Sequence, residues 1–111
     1  MTAIQLNLYV EAGATYSRSL VYTNDDGSVF DLTDYTAELQ VRESANSPTA
    51  KLTVIPTIEV GTGTIAWEFT ATETASLTNE VYVYAMELYG PNDLVIRLIQ
   101  GAVTVSPEVV K

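Results

Sequence analysis

The sequence predicts a small all-β domain, a sandwich or small barrel of about eight short strands. Three observations carry this prediction. Apolar and polar residues alternate with period two through most of the chain, which gives each strand one buried and one wet face. Eight or nine short strand-like segments follow one another at spacings of roughly 8–12 residues, the pattern of a sandwich or barrel. No interval is long enough for the repeated crossover helices of a parallel sheet.

The elements follow in order. Ile4, Leu6, Leu8 and Val10 alternate with Gln5, Asn7, Tyr9 and Glu11, and Gly13 marks a bend. Tyr16–Tyr22 is a second strand, interrupted on one face by Arg18. Asn24-Asp25-Asp26-Gly27 is a turn, because these residues tolerate the positive φ of tight turns. Val29–Leu32 continues the chain toward Thr36–Arg42, where Ala37, Leu39 and Val41 point inward. A loop around Pro48 leads to short strands at Lys51–Ile55 and Ile58–Val60, with Pro56 forcing an edge or a break. Thr64–Thr70 places Ile65, Trp67 and Phe69 on one face. Thr72–Leu77 is the one helix-like stretch, with Thr72 as its cap. Val81–Tyr89, the turn Gly90–Asp93 and Leu94–Gln100 form a hairpin, and Ala102–Val105 continues as an edge strand until Pro107. The expected domain is 1–107, with 108–111 as a C-terminal tail.

Composition narrows the function. At 111 residues, about half of them apolar, the chain fits one domain with a real core. With no cysteine it holds by packing alone, which suits a reducing compartment. Fourteen acids against five bases give a net charge of −9. The bases, Arg18, Arg42, Lys51, Arg97 and Lys111, are scattered among acids, so neither nucleic acid nor an anionic membrane is an expected partner. Met1–Gln5 lacks a signal-peptide pattern, and no stretch approaches a membrane helix.

The chemistry of catalysis is absent from the residue types. Without His or Cys, the common nucleophile–base pairs and thiolate sites are excluded, so no catalytic residue and no cofactor is expected. Ser47 and Lys51 flank a proline-bearing loop without a supporting motif. Gly61-Thr62-Gly63 reads as a hairpin turn and not as a phosphate loop. Asp25, Asp26, Asp31 and Asp34 are the best metal candidates, but they miss the calcium-loop spacing and suit turn roles better. Glu68 and Glu87, a formal glycosidase pair, fall on polar strand faces.

The tyrosines say more. Tyr82 and Tyr84 share one face of a strand whose other face carries Val81, Val83 and Ala85. Such a strand either lies inside a covered sheet or turns its tyrosines toward another subunit, where a ring and its hydroxyl serve well. Leu94, Ile96 and Leu98 against Val95 and Ile99 repeat the two-faced pattern next door, which favours a buried oligomer contact. Tyr82, Tyr84, Leu94 and Ile96 are therefore the candidate subunit interface. Arg97 is expected to pair with Glu87 across the hairpin, and Trp67 to lie in the core.

Several segments, in order, resemble small immunoglobulin-like β-sandwich proteins encoded among the structural genes of tailed bacteriophages. They are Glu11-Ala12-Gly13-Ala14-Thr15-Tyr16, Asp26-Gly27 followed by Asp31-Leu32-Thr33-Asp34-Tyr35-Thr36, Gln40-Val41-Arg42-Glu43, Gly63-Thr64-Ile65, Tyr82-Val83-Tyr84, and Gly101–Val109. Relatives often carry glycine where this chain has Asp34, and aspartate tolerates the same left-handed geometry. The resemblance implies an antiparallel immunoglobulin-like sandwich of about eight strands and a part of a virion assembled in the bacterial cytoplasm. It implies no catalytic residue, cofactor or metal.

The leading expectation is a non-catalytic capsid-decorating (cement) protein or a tail or baseplate adaptor. Its partners would be other virion proteins, and it would form a homo-oligomer. The alternative is a carbohydrate- or receptor-binding module, with Trp67 and exposed tyrosines stacking on sugars. A hydrolase is remote.

Overall fold

The computed structural model describes residues 3–108, so 109–111 of the expected tail lie outside the described residues. Nine strands and one short helix occur in the order β1 (Ile4–Gln5), β2 (Leu8–Glu11), β3 (Tyr16–Val21), β4 (Thr36–Arg42), β5 (Leu52–Val54), β6 (Thr57–Glu59), β7 (Thr64–Phe69), α1 (Ala71–Ala75), β8 (Val81–Tyr89) and β9 (Val95–Ser106). They make two sheets. The larger runs β1-β9-β8-β4-β5 with β2 also on β9, and the smaller runs β3-β7-β6. The chain is all-β.

Alternation drives the layering. Ala37, Leu39 and Val41 of β4 and Met86 and Leu88 of β8 bury against Ile65, Trp67 and Phe69 of β7. Each Val, Leu, Ile, Met or Phe among them contributes roughly 1.5–3 kcal/mol on leaving water. Leu32 is fully buried although it lies outside any strand, and Phe30 packs on Tyr22 and Tyr35. The segment 29–32 forms no strand of its own and is held by the bridge Thr23–Val29. Asp34 sits at φ 64°, the left-handed geometry expected of it.

Three features depart from the sequence reading. First, β1 and β2 are two pieces of one strand, both parallel to β9, with Ile4 opposite Ile99 and Leu8 opposite Val103. No crossover helix is needed, because nearly the whole domain separates the two strands in sequence. Ala102–Val105 is therefore an internal stretch covered by β2, not an edge. The break between the pieces is pinned by the amide of Leu6 donating to Gln100 O (2.9 Å) and by Asn7 Oδ1 accepting from the Ala102 amide (3.1 Å). A Cβ on Gly101 would collide with the Leu6 carbonyl oxygen, so glycine is required by this close approach.

Second, a β-bulge between Met86 and Glu87 shifts the β8–β9 register. Leu98 and Ile99, adjacent in sequence, consequently both face the core. Third, the cap of α1 is Thr70, not Thr72. The Thr70 hydroxyl accepts from the Glu73 amide (3.1 Å) while Glu73 Oε1 accepts from the Thr70 amide (2.9 Å), a reciprocal capping box. The helix carries Thr74, which is fully buried. Thr74 Oγ1 accepts from the Gly13 amide (3.0 Å) and donates to Ala14 O (2.8 Å), tying the β2–β3 crossing to the helix.

Candidate interaction face

The two sheets present very different outer surfaces. On the small sheet, the outward residues of β3, β7 and β6 include Ser17, Ser19, Thr57, Ala66, Glu59 and Glu68. Exposed Arg18 of β3 lies beside Glu68 at the margin of this face. Ser17 donates to Glu68 Oε1 at 3.1 Å.

The outer face of the large sheet is built in rows across strands. One row is Gln5, Gln100, Ala85 and Gln40. Above it stand Ala102, Val83 and Arg42, and below it Arg97, Glu87 and Glu38. The bulge sets this arrangement, because it keeps both Arg97 and Gln100 outward while Leu98 and Ile99 go in. Val83, Ala85 and Ala102 are short, and the longer polar side chains rise around them. The result is a hollow of about 500 Å³ over the middle of the sheet.

Hydrogen bonds fix the rim. Gln40 Nε2 donates to Glu38 Oε2 (2.8 Å), and Arg42 Nη2 donates to Gln40 Oε1 (2.8 Å). Arg42 Nη1 donates to Ser47 O (2.7 Å) in the β4–β5 loop. Two N–H groups of the guanidinium are thus used on neutral acceptors, leaving three for other partners. Across the hollow, Arg97 Nε lies 3.7 Å from Glu87 Oε2, the ion pair expected from the sequence. Tyr89 donates to Glu87 Oε1 at 3.1 Å, and burial with this carboxylate raises the Tyr89 pKa above its ordinary value. Glu38 and Glu87 are balanced by Arg42 and Arg97, so the lining of this hollow is neutral in a molecule of net charge −9.

The candidate interface residues land elsewhere. Tyr82 and Tyr84 are 1% and 4% exposed, and their rings face the core, so neither is available to a neighbouring subunit. Their hydroxyls are satisfied within the chain: Tyr82 Oη accepts from the Asn79 amide (3.0 Å), and Tyr84 donates to Leu6 O (2.5 Å). Burial pushes the Tyr84 pKa up to about 12. Ile96 packs against the core opposite Leu88, and Leu94, 44% exposed, sits apart in the hairpin turn. The four do not form a patch. The outward face of β8 instead carries Val81, Val83 and Ala85, the side given less weight in the sequence reading.

The other sequence candidates separate as well. Asp26 and Asp31 accept from the amides and hydroxyls of Ser28 and Thr33, which holds both carboxyls below their ordinary pKa. Among the described residues, no three acids gather as a cation site. Glu68 and Glu87 lie on opposite outer faces of the molecule and cannot flank one bond. Gly61–Gly63 is the β6–β7 turn, and Ser47 bonds within its own loop to Ser44. Trp67, 3% exposed, is core and offers no platform to a sugar. Compared with known proteins, the chain matches no family model and no curated protein.

Proposed function

We propose that this protein is a non-catalytic structural subunit of a tailed-phage virion, a capsid-decorating or tail-adaptor protein that acts through protein contacts. The observation that carries the reading is the neutral hollow on the outer face of the large sheet. Interface centres are depleted in charged residues and enriched in Arg, and the central row of this face, Gln5, Gln100, Ala85 and Gln40, carries no charge. Here the hollow, whose lining is neutral, also holds Arg42 on Gln40 and Ser47 and Arg97 beside Glu87. Separation of Glu68 from Glu87 and the lack of His and Cys support a role without catalysis.

The finer fold reading belongs with this proposal. We read the two sheets as an immunoglobulin-like sandwich, with β3, β7 and β6 as one layer and β4, β5, β8 and β9 as the other. Tyr82 adds support. It lies near the start of β8 and bonds to the backbone three residues upstream, as the tyrosine corner of such folds does.

The test is mass spectrometry of gradient-purified virions from the phage carrying this gene. The chain is expected in fixed stoichiometry with a capsid or tail protein. Its absence from virions while it is abundant in the infected cell overturns the reading.

A further inference from the structure

We infer that the outer face of the large sheet pairs with the same face of a second copy across a two-fold axis. The inference rests on the assembly reading above and names its partner. Its basis is the order of charges along β4. Arg42 lies at one end of the face and Glu38 at the other, with Gln40 midway. Arg42 and Glu38 are four residues apart, or about 13 Å along the strand.

Consider a two-fold axis in the plane of the interface, perpendicular to the strands, through the row Gln100, Ala85 and Gln40. It reverses strand direction and leaves lateral position unchanged. Gln40 then faces Gln40 of the second copy, and Ala85 faces Ala85. Arg42 of each copy faces Glu38 of the other. A closed pair of this kind needs a self-complementary patch, in which residue i meets j and j meets i. Arg42 and Glu38 meet that condition, one pair of residues used twice, while the Arg97–Glu87 ion pair of each copy faces Ala102 and Val83 of the other.

The occupant follows from charge. A second copy carries −9 overall, so any of its acidic surfaces would repel. The face around the neutral hollow is the surface on which two copies approach without net repulsion. Arg42 has free donors for the incoming carboxylate and no carboxylate of its own within the described residues. The low floor of Val83 and Ala85 lets the long rim side chains of two copies interdigitate.

The size of the face sets the strength. Five strands span roughly 20 Å, and the length of β4 is about 23 Å. Mating two such faces buries near 1,000 Å² in all, at the lower end of specific interfaces. A reversible dimer of micromolar affinity is expected, firm only where many copies are held on a symmetric particle.

The experiment is sedimentation equilibrium on the full chain and four variants, with circular dichroism to confirm folding. The wild type is expected to dimerise reversibly. Arg42→Glu and Glu38→Arg should each weaken the dimer at least about tenfold, because each places two like-charge contacts in the interface. The double exchange, which restores opposite charges, should recover dimerisation, and Glu68→Arg on the other sheet should leave it unchanged. A wild type that stays monomeric up to roughly 1 mM, the concentration of the weakest specific contacts, overturns the inference. So does a dimer indifferent to both single reversals, or a double exchange that fails to recover. Failure of this pairing is distinct from failure of the assembly reading, which virion mass spectrometry decides on its own.

Discussion

The two faces of β8 make an instructive contrast. The inner face carries Tyr82, Tyr84, Met86 and Leu88, all buried, with both tyrosine hydroxyls bonded to the backbone. The outer face carries Val81, Val83, Ala85 and Glu87, which are smaller and leave a hollow. Large residues thus stabilise the fold, and small ones leave room for a partner. Apolarity alone does not separate an interface from a core. Side-chain size, hydroxyl partners and charge balance do.

Substitutions on the two faces should therefore have opposite signatures. The largest effect is expected from Tyr82→Ala, which empties a fully buried ring and its bond to Asn79; a loss of about 3–5 kcal/mol should appear in urea unfolding. Next is Thr74→Val, which keeps the shape but leaves the Gly13 amide and Ala14 carbonyl without their partner; about 1–3 kcal/mol should be lost. Tyr16→Phe runs the other way. Among the described residues its buried hydroxyl has no hydrogen-bond partner, so removing the oxygen should raise the unfolding free energy by roughly 1 kcal/mol and the urea midpoint with it. On the outer face, Ala85→Lys should change stability by no more than about 0.5 kcal/mol while abolishing self-association. A large stability loss from Ala85→Lys would erase the contrast.

Tyr84 sharpens the contrast through pH. Its folded pKa, about 12, lies above the ordinary value near 10. Below pH 10 the phenol is protonated in both states and makes no pH-dependent contribution. Between about pH 10 and 12 the unfolded chain releases the proton and the folded chain keeps it. Stability then falls as pH rises, by up to about 1.4 kcal/mol per pH unit. Tyr84→Phe should flatten that slope in unfolding measured from pH 9 to 11; an unchanged slope would place the titration elsewhere.

Much of the strand framework was legible because it is local. The alternation in β4 and β7 identified Ala37, Leu39, Val41, Ile65, Trp67 and Phe69 as core, and the structure buries each of them. The Arg97–Glu87 pair followed from hairpin register, and the left-handed turn at Asp34 from the glycine that the resemblance puts at that position. The inner side of β8 was not legible. Both its faces are apolar, and the choice rests in part on a bond from Tyr84 to Leu6, 78 residues away. The same holds for the parallel seat of β1 and β2 on β9, which no local signal encodes. Two further signals do lie in the residues themselves. The doublet Leu98-Ile99 breaks the period of two, which is the mark of a bulge, and Thr70-x-x-Glu73 spells the capping box. Reading the doublet places Gln100 and Arg97 on the same face as Gln40, Arg42 and Glu38, and the candidate face then emerges from the alternation of β4.

The central claim is that the outer face of the large sheet is the contact face. Concentration-dependent amide chemical shifts in solution NMR test it most directly, because they report where copies touch. The account predicts shifts clustered at Glu38, Gln40, Arg42, Val83, Ala85 and Gln100, with Ser17, Ser19 and Ala66 of the small sheet unmoved. Shifts centred on the small sheet, or none at any concentration, would contradict it.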